Sequence, residues 1–309
     1  MGKGSTPKPK VIKTTNTMNY QPRYSAYLLL IFLLVFMSCE KDLKTEVRIN
    51  PKLCFNCILN PDSVIRGSLS LSQSISENNT FQKVSDAIIE LKEDGQTFGI
   101  MKNTGSGVYV LNIKPNSGSY YEINIKTEGF QSLHASTIVP LKPSVNYELD
   151  NPILHNPNTY SSYFTYRITK NINDRLGINR YWHYRHRQNH SKIWRFVGVF
   201  YDVDSPIVDN FNRVTDATDE LGFHYESYIR INDSGMDGAI LSFYSTSYLN
   251  EINFFIDTDE HYDKYLKSTI KQKMNDGDNL LFNEPVQIYS NIENGLGIFG
   301  SAAITSFKL

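Results

Sequence analysis

The sequence predicts a mainly β protein with one helix in its second half. From Val47 onward, short segments of alternating apolar and polar residues are separated by Gly, Asn, Asp and Pro, which is the pattern of antiparallel strands. Aromatic residues form 13% of the chain, mostly Tyr and Phe, which strands favour. One segment near residues 258–275 has helical spacing instead. We therefore expect a β-sandwich followed by a larger antiparallel β domain that carries the helix.

An apolar run that ends at a cysteine precedes the β segments, in AYLLLIFLLVFMSCEKD (Ala26–Asp42). The run is too short to cross a hydrocarbon core of about 30 Å as a helix, and basic residues without an acidic one precede it, as in an export signal. Ser38 directly before Cys39 fits a lipoprotein signal, in which the cysteine thiol is acylated. The sequence thus predicts a signal peptide over residues 1–38 and lipidation at Cys39. An uncleaved membrane anchor and an ordinary secreted chain are the alternatives.

Charge divides unevenly between this leader and the rest of the chain. The first 38 residues hold five of the 31 basic residues and none of the 32 acidic ones, so the remainder carries 26 against 32, a net charge of −6. Such a body has no general attraction for nucleic acid or anionic lipid. Membrane attachment would therefore come from acyl chains, joined to the body by a charged tether at residues 39–46. Met18 opens a shorter signal and is an alternative start.

Residues 47–142 are predicted to form the sandwich. Asp94-Gly95 is a good hairpin turn, and Ser72–Lys83 is a polar excursion between strands. Three prolines between residues 140 and 152 interrupt any ladder, because proline donates no backbone hydrogen bond, and they place the domain boundary near residue 142. The predicted strands are Leu53–Leu59, Val64–Leu71, Ala87–Glu93, Thr97–Lys102, Val108–Ile113, Tyr120–Lys126 and Leu133–Val139.

Residues 143–309 are predicted to form the second β domain. Asp257 and Glu260 suggest a capping box at the start of the helix, and Asn275-Asp276-Gly277 suggests its end. The C-terminal segment predicts a hairpin that turns at Asn294-Gly295. The predicted strands are Ser162–Ile172, Tyr181–Arg187, Trp194–Tyr201, Phe223–Ile231, Ala239–Ser245 and Glu251–Asp257.

Cys54 and Cys57 form a CxxC pair within a predicted strand. On a strand, positions three apart face opposite ways, and their Cα atoms lie about 10 Å apart, beyond the roughly 7 Å limit for a disulfide. We therefore expect two unpaired structural thiols. A local disulfide in a turn and a metal or redox role are the alternatives.

Several blocks of sequence resemble known families. VSDAIIELKEDG (Val84–Gly95), GVYVLNI (Gly107–Ile113) and EGF (Glu128–Phe130) resemble the transthyretin-like or carboxypeptidase-regulatory-like sandwich of exported bacterial proteins. That resemblance implies an immunoglobulin-like or transthyretin-like N-terminal domain, in which tyrosines cap the core. SCEKD, LNPDSVIRGSLSLSQSI and above all EPVQIYSNIENGLGIFG (Glu284–Gly300) resemble the Bacteroidota lipoproteins grouped as domain of unknown function 4249. Their frequent proximity to TonB-dependent outer-membrane receptors implies an accessory role in nutrient capture or receptor assembly.

Two clusters invite a metal-binding interpretation. Imidazoles at His183, His186 and His190 could ligate zinc or copper, but neighbouring arginines add repulsive charge, so a solvated basic strand and loop is favoured. The carboxylates of Asp202, Asp204 and Asp209 could hold calcium, but they lack the glycine turn and ligand alternation of a known calcium loop. The polar turn at residues 275–278 lacks these features too, and we interpret it as the end of the helix.

The sequence contains no motif that indicates catalysis. It lacks the GxSxG elbow, the HExxH helix, the GxxxxGK loop and the dinucleotide GxGxxG, so we expect no catalytic residue, metal or cofactor. We expect a non-enzymatic outer-membrane lipoprotein that binds a ligand or assists a TonB-dependent transporter. The acidic-plus-lysine tract at residues 40–42 favours the cell surface over the periplasmic face. A glycan- or peptide-binding adhesin and an unrecognised surface hydrolase are the alternatives.

Overall fold

The computed structural model describes residues 50–74, 80–149, 162–169, 181–190, 193–196, 208–215, 222–224, 228–232, 240–245, 251–277 and 285–308. Within these ranges the chain is mainly β with one helix, so the predicted fold class is confirmed. Residues 1–49 lie outside the described ranges. The predicted leader and tether therefore stay predictions.

Eight strands lie within the described residues before residue 150, and all seven predicted there are found. The eighth strand was not predicted. It begins directly after Pro143, in a segment where the prolines predicted an interrupted ladder. The strands are β1 (Leu53–Leu59), β2 (Ile65–Leu71), β3 (Ile88–Glu93), β4 (Gln96–Gly105), β5 (Val108–Leu111), β6 (Tyr120–Lys126), β7 (Leu133–Ile138) and β8 (Ser144–Leu149).

Ten further described strands and helix α1 (Glu260–Gly277) follow. The single strand predicted over Phe223–Ile231 is wrong, since two short strands with different partners occupy its ends. The strands are β9 (Ser162–Thr169), β10 (Tyr181–His190), β11 (Ile193–Phe196), β12 (Val208–Asp209), β13 (Arg213–Thr215), β14 (Gly222–His224), β15 (Tyr228–Asn232), β16 (Ile240–Ser245), β17 (Glu251–Thr258) and β18 (Leu296–Lys308).

One large sheet contains most of these strands. Its order is β12-β15-β10-β17-β18-β1-β2-β5-β4-β3-β6-β7, with β11 paired to β10. The first part of strand β4 pairs with β3 and its second part pairs with β5, and each pairing contains a register shift. Strand β4 therefore carries the sheet from one layer into the next. The sheet thereby folds over a hydrophobic core as in a sandwich.

The alternation of side chains along the strands builds this core. In β1 the residues Leu53, Phe55, Cys57 and Leu59 are buried, while those between them are less buried or exposed. Tyr109 and Tyr121 are among the largest fully buried side chains. Both rings therefore lie in the core, while the transthyretin-like character of this part of the chain stays a prediction.

Strand β18 connects the first and second halves of the chain. It pairs in parallel with β1 and antiparallel with β17, so backbone hydrogen bonds run across the domain boundary predicted near residue 142. That division itself stays a prediction. The C-terminal hairpin is wrong, because residues 285–292 form no strand, although Asn294 does turn with a positive φ of 60°.

Cys54 and Cys57 are both free thiols, which confirms the expectation from their spacing. Cys57 belongs to the core, and burial raises its pKa to about 12. Cys54 lies on the other side of β1 and is half-buried, which also raises its pKa. Neither thiol is activated for nucleophilic chemistry.

Candidate binding groove

A polar groove of about 490 Å³ lies over β3, β6 and β7 on the outer face of the sheet. Its floor follows from the alternation along β6, where Tyr121, Ile123 and Ile125 are buried and the residues between them face outward. The residues that line the groove are Lys92, Tyr120, Glu122, Ile123, Asn124, His134, Ala135, Ser136, His261, Asn291 and Glu293.

Strand register sets the neighbours on the groove floor. Glu122 of β6 lies opposite Lys92 of β3 on one side and opposite Ser136 of β7 on the other. Asn124 lies opposite His134. Directly opposed residues of antiparallel strands have Cβ atoms about 5 Å apart, so these polar groups form one continuous surface.

The segment Ser290–Gly295 forms one wall of the groove and closes the edge of β7. Four alternate backbone carbonyls along this edge are occupied. The Asn294 amide donates to Ser132 O at 3.0 Å, Glu293 N to His134 O at 2.9 Å, the Asn291 amide to Ser136 O at 3.4 Å, and Ser301 Oγ to Ile138 O at 2.6 Å. An exposed strand edge is thereby protected from pairing with another chain.

The Asn291 side chain forms the two backbone hydrogen bonds with β18 that a neighbouring strand would otherwise form. Its Oδ1 accepts a hydrogen bond from Phe299 N at 3.0 Å, and its Nδ2 donates to Phe299 O at 2.7 Å. The neighbouring Ile292 is buried in the core, and at Gly295 a Cβ would lie 2.8 Å from Leu53 O. The block SNIENG thus holds the wall in position.

Helix α1 contributes His261 to the groove, and Asp259 fixes the start of the helix. Asp259 Oδ1 accepts a hydrogen bond from Tyr262 N at 2.9 Å, so Asp259 is the N-cap. The predicted capping role of Asp257 is therefore wrong, because β17 continues one residue further than the pattern suggested, to Thr258, and the cap follows it. His261 Nδ1 lies 2.8 Å from the hydroxyl of Tyr289, which fixes the imidazole beside the groove.

Asn124 carries an unusual polar atom for a folded protein. Its Oδ1 is buried and has no hydrogen-bond partner in the part of the chain that the structure describes. Leaving a buried acceptor without a donor costs about 1–3 kcal/mol. A group that donates to this atom would offset that cost.

A second groove, of about 510 Å³, lies between α1 and residues 286–290. Two of its three lysines are engaged within the protein: Lys264 pairs with Glu260, and Lys267 pairs with Asp209 at 2.9 Å. The segment itself is held along the helix, since Tyr289 N donates to Ser268 Oγ at 2.9 Å and Val286 N to Gln272 Oε1 at 2.7 Å. We interpret this groove as packing of the segment on the helix.

The described residues include only some of the site residues suggested by the sequence. Cys39, Asp202 and Asp204 lie outside the described residues. His183, His186 and His190 all belong to β10, where they lie in register with Arg230, Asn253 and Ile193 respectively. Among the residues that are described, no three His, Cys, Asp or Glu side chains are arranged to hold a metal ion.

Asp209 belongs to an ion-pair network. It accepts hydrogen bonds from Arg230 and from Lys267, and the buried Arg230 also binds Asp263 of α1 through two hydrogen bonds, of 2.8 and 2.6 Å. Burial alone would raise the pKa of Asp209, but the cations Lys267 and Arg230 hold it below its ordinary value. The network attaches α1 to β12 and β15.

Sequence reasoning missed the groove residues. Tyr120, Glu122 and Asn124 were part of a correctly predicted strand, but their strand partners and the covering segment 290–295 depend on tertiary pairing. The available signal was the alternation in YYEINIK, which places an aromatic, a carboxylate and an amide on one face.

Comparison with solved structures finds remote similarities. A Salmonella alpha-2-macroglobulin mutant is 11% identical with a TM-score of 0.23, and a beta-glucuronidase of glycoside hydrolase family 2 is 7% identical with a TM-score of 0.21. Each match covers 68% of this chain but only 14% and 19% of the other, so the chain spans less than a fifth of either protein. A comparison with curated protein sequences gives no match.

Fold and groove define a mainly β protein whose large, mostly antiparallel sheet carries a polar groove. In the described ranges, no helix has both the length and the apolar character needed to span a membrane. The family described as "domain of unknown function (DUF4249)" matches residues 40–308, and the chain belongs to that family.

Proposed function

We propose that this protein is an outer-membrane lipoprotein of a Bacteroidota species, acylated at Cys39. Its role is that of a non-enzymatic, ligand-binding accessory of a TonB-dependent transporter in nutrient uptake. The observation that carries the proposal is the apolar run Ala26–Met37, which ends at Ser38-Cys39 and is followed at once by charged residues. Membership of the family is compatible with this role, because the matched region begins at residue 40, directly after the proposed acylation site.

The charge of the body supports acyl anchoring. Beyond residue 38 the chain carries 26 basic and 32 acidic residues, so anionic headgroups would repel it on average. One acyl chain gives only reversible attachment, whereas two or three hold a protein on the bilayer. Anchoring raises the local concentration of the protein near a membrane receptor without a tight contact.

The groove over β6 and β7 supports the ligand-binding part of the proposal. It is large enough for a small molecule and lined by side chains that both donate and accept hydrogen bonds. An adhesin that uses the same groove at the cell surface is the second candidate, since the exposed Tyr120 ring at the groove suits a sugar or a peptide.

Mass spectrometry of the N-terminal peptide tests the anchor. In the native membrane we expect the full chain to be cleaved before Cys39 and acylated there. Cys39→Ser should abolish acylation, whereas the matched Cys54→Ser should leave it intact. A bare Cys39 or a retained leader would refute the lipoprotein assignment.

Co-purification tests the partnership. After mild cross-linking of whole cells, we expect the wild-type chain to bring down a TonB-dependent receptor, and we expect Cys39→Ser to recover much less of it. An acylated chain that brings down no receptor would refute the accessory role and leave the adhesin as the better candidate.

A further inference from the structure

The groove is closed to recognition by backbone pairing. An extended peptide commonly binds by adding a strand to an open sheet edge. Along β7 the carbonyls of Ser132, His134, Ser136 and Ile138 are already bonded to the segment 291–294 and to Ser301. A ligand in the groove must therefore be recognised by side chains.

The floor presents an aromatic ring followed by polar groups in a straight row. Tyr120, Glu122 and Asn124 lie on one face of β6, and alternate residues of a strand are spaced so that the row spans about 13 Å. Tyr120 is 38% exposed. Its backbone forms two hydrogen bonds with Asp94: Tyr120 N donates to Asp94 Oδ1 at 3.2 Å, and Tyr120 O accepts from Asp94 N at 2.8 Å. The backbone that carries the ring is thus held in place, and the partly exposed ring offers an apolar platform at one end of the row.

The rest of the lining suits hydroxyl groups, which donate and accept at once. Carboxylates of Glu122 and Glu293 accept, Lys92 donates, and the imidazoles of His134 and His261 can do either. Asn124 adds a side-chain amide to the lining, directly opposite His134 in the sheet.

The charges of the lining disfavour an anionic ligand. The lining contains one lysine and two glutamates. Lys92 lies directly opposite Glu122, so their charges cancel, and Glu293 leaves a small net negative charge. A phosphate, a uronate or a nucleic acid would meet repulsion. An uncharged ligand would not.

We propose that this groove binds a neutral oligosaccharide, with Tyr120 stacking on one sugar ring while Glu122, Asn124 and His134 bind hydroxyl groups of the next. The inference deepens the ligand-binding role proposed above and rests on it. Closure of the β7 edge favours a saccharide over an extended peptide, and the charge balance favours a neutral saccharide over an acidic one.

Isothermal titration calorimetry of the purified full chain tests the proposal, in a detergent whose headgroup is not a sugar. The probes are maltohexaose, cellohexaose, xylohexaose and mannohexaose, with hexagalacturonate as the acidic control and hexaglycine as the peptide control. We expect saturable binding of at least one neutral hexasaccharide and none of either control. Tyr120→Ala should weaken that binding by about tenfold or more, as loss of a stacking aromatic does.

Matched variants separate the groove from a general effect. Phe130 has the same exposure as Tyr120, 38%, but does not line the groove, so Phe130→Ala should bind as the wild type does. Thermal unfolding of each variant checks that it is folded.

Three results would overturn the inference: no neutral probe binds, Tyr120→Ala binds as well as the wild type, or only hexagalacturonate or hexaglycine binds. Because purified protein needs neither the acyl chain nor a receptor to bind sugar, this failure is separable from failure of the proposed function. If the chain is acylated and receptor-bound but binds none of the neutral probes, only the sugar site is refuted. A sugar-binding chain with a bare Cys39 refutes the anchor alone.

Discussion

The tyrosines of the sandwich illustrate how single polar atoms are satisfied inside an apolar core. The Tyr109 ring is buried, its hydroxyl accepts a hydrogen bond from Ala87 N at 3.0 Å, and it donates to Val84 O at 3.2 Å. Tyr121 donates to Glu93 Oε1 at 2.6 Å, and burial raises its pKa above the ordinary value. Each hydroxyl thereby binds the chain at the rim of the core while its ring fills the interior.

Replacing Tyr109 by Phe tests this arrangement. The ring stays, but Ala87 N–H and Val84 C=O lose their partner, so Tyr109→Phe should lower the free energy of unfolding by about 1–3 kcal/mol. Urea denaturation measures the loss. Tyr120→Phe is the control, because its ring is partly exposed, and it should change stability by less than about 0.5 kcal/mol. Equal effects of the two substitutions would contradict the role of the Tyr109 hydroxyl.

Individual residue patterns predicted strands well and predicted side-chain bonds poorly. The alternation in Leu53–Leu59 and Tyr120–Lys126 gave the observed bounds, because one face of each strand is buried. The groove residues Glu293 and His261 come from separate parts of the chain, and their meeting depends on the bonds of Asn291. Local pattern carries no information on such distant partners.

At the scale of elements, the start of α1 is the point where helix and both sheet layers meet. Asp259 Oδ1 accepts from Ser301 N of β18 at 3.0 Å, and Asp259 Oδ2 lies 2.8 Å from Thr137 Oγ1 of β7. Thr137 Oγ1 also lies 3.0 Å from Ser301 Oγ, which donates to Ile138 O. If Asp259 is protonated, its carboxyl donates to Thr137 Oγ1, Thr137 donates to Ser301 Oγ, and Ser301 donates to Ile138 O. Every hydroxyl of the row then has an acceptor.

Burial raises the pKa of Asp259, and this has a consequence for stability. A carboxyl whose pKa is raised by folding stabilises the fold fully at pH below its unfolded pKa of about 3.9, and the contribution is lost as pH rises through the folded pKa. Asp259→Asn cannot lose a proton. The unfolding free energy of the wild type relative to Asp259→Asn should therefore fall between pH 4.5 and pH 8.

Chemical denaturation at both pH values measures that difference, in which the other titrating groups cancel. Asp259→Ala is the control for the cap itself and should be less stable than Asp259→Asn by about 1 kcal/mol at either pH. If the wild type instead gains stability over Asp259→Asn as pH rises, the charged carboxylate is the form that the cap prefers.

Element prediction failed where side chains, and not the backbone pattern, decide the structure. The C-terminal hairpin was predicted from Asn294-Gly295, and the turn exists, but Asn291 bonds to Phe299 through its amide and leaves residues 285–292 without a strand partner in the described chain. The helix was predicted almost to its last residue, since Gly277 does end it. Its first residue was missed because Asp257 and Asp259 offer the same capping chemistry.

At the scale of the whole molecule, the parallel pairing of β1 with β18 joins the start of the described chain to its end. Its register places Gly297 opposite Phe55. Nothing in either segment specifies the other, because a strand pattern states which face is buried and not which strand lies beside it. The large sheet was therefore predictable as a class but not in its strand order.

Gly297 shows why this pairing restricts the sequence. Its φ is +111°, a conformation that only glycine adopts without strain, and a Cβ there would lie 2.0 Å from Phe55 O. Gly297→Ala must therefore distort the backbone and push β18 away from β1. Backbone strain and overpacking each cost about 1–3 kcal/mol, so we expect the free energy of unfolding to fall by more than about 2 kcal/mol.

Gly129→Ala separates these two causes, because Gly129 has a φ of +79° but no atom within 4 Å of its Cβ position. It should show the cost of backbone strain alone, about 1–2 kcal/mol. Urea denaturation should rank Gly297→Ala as clearly less stable than Gly129→Ala. Because β18 hydrogen-bonds to both β1 and β17, the loss should appear as one cooperative transition at lower urea. Equal losses in the two variants would mean that β1 and β18 can separate at Gly297 without cost, which would contradict a close parallel pairing.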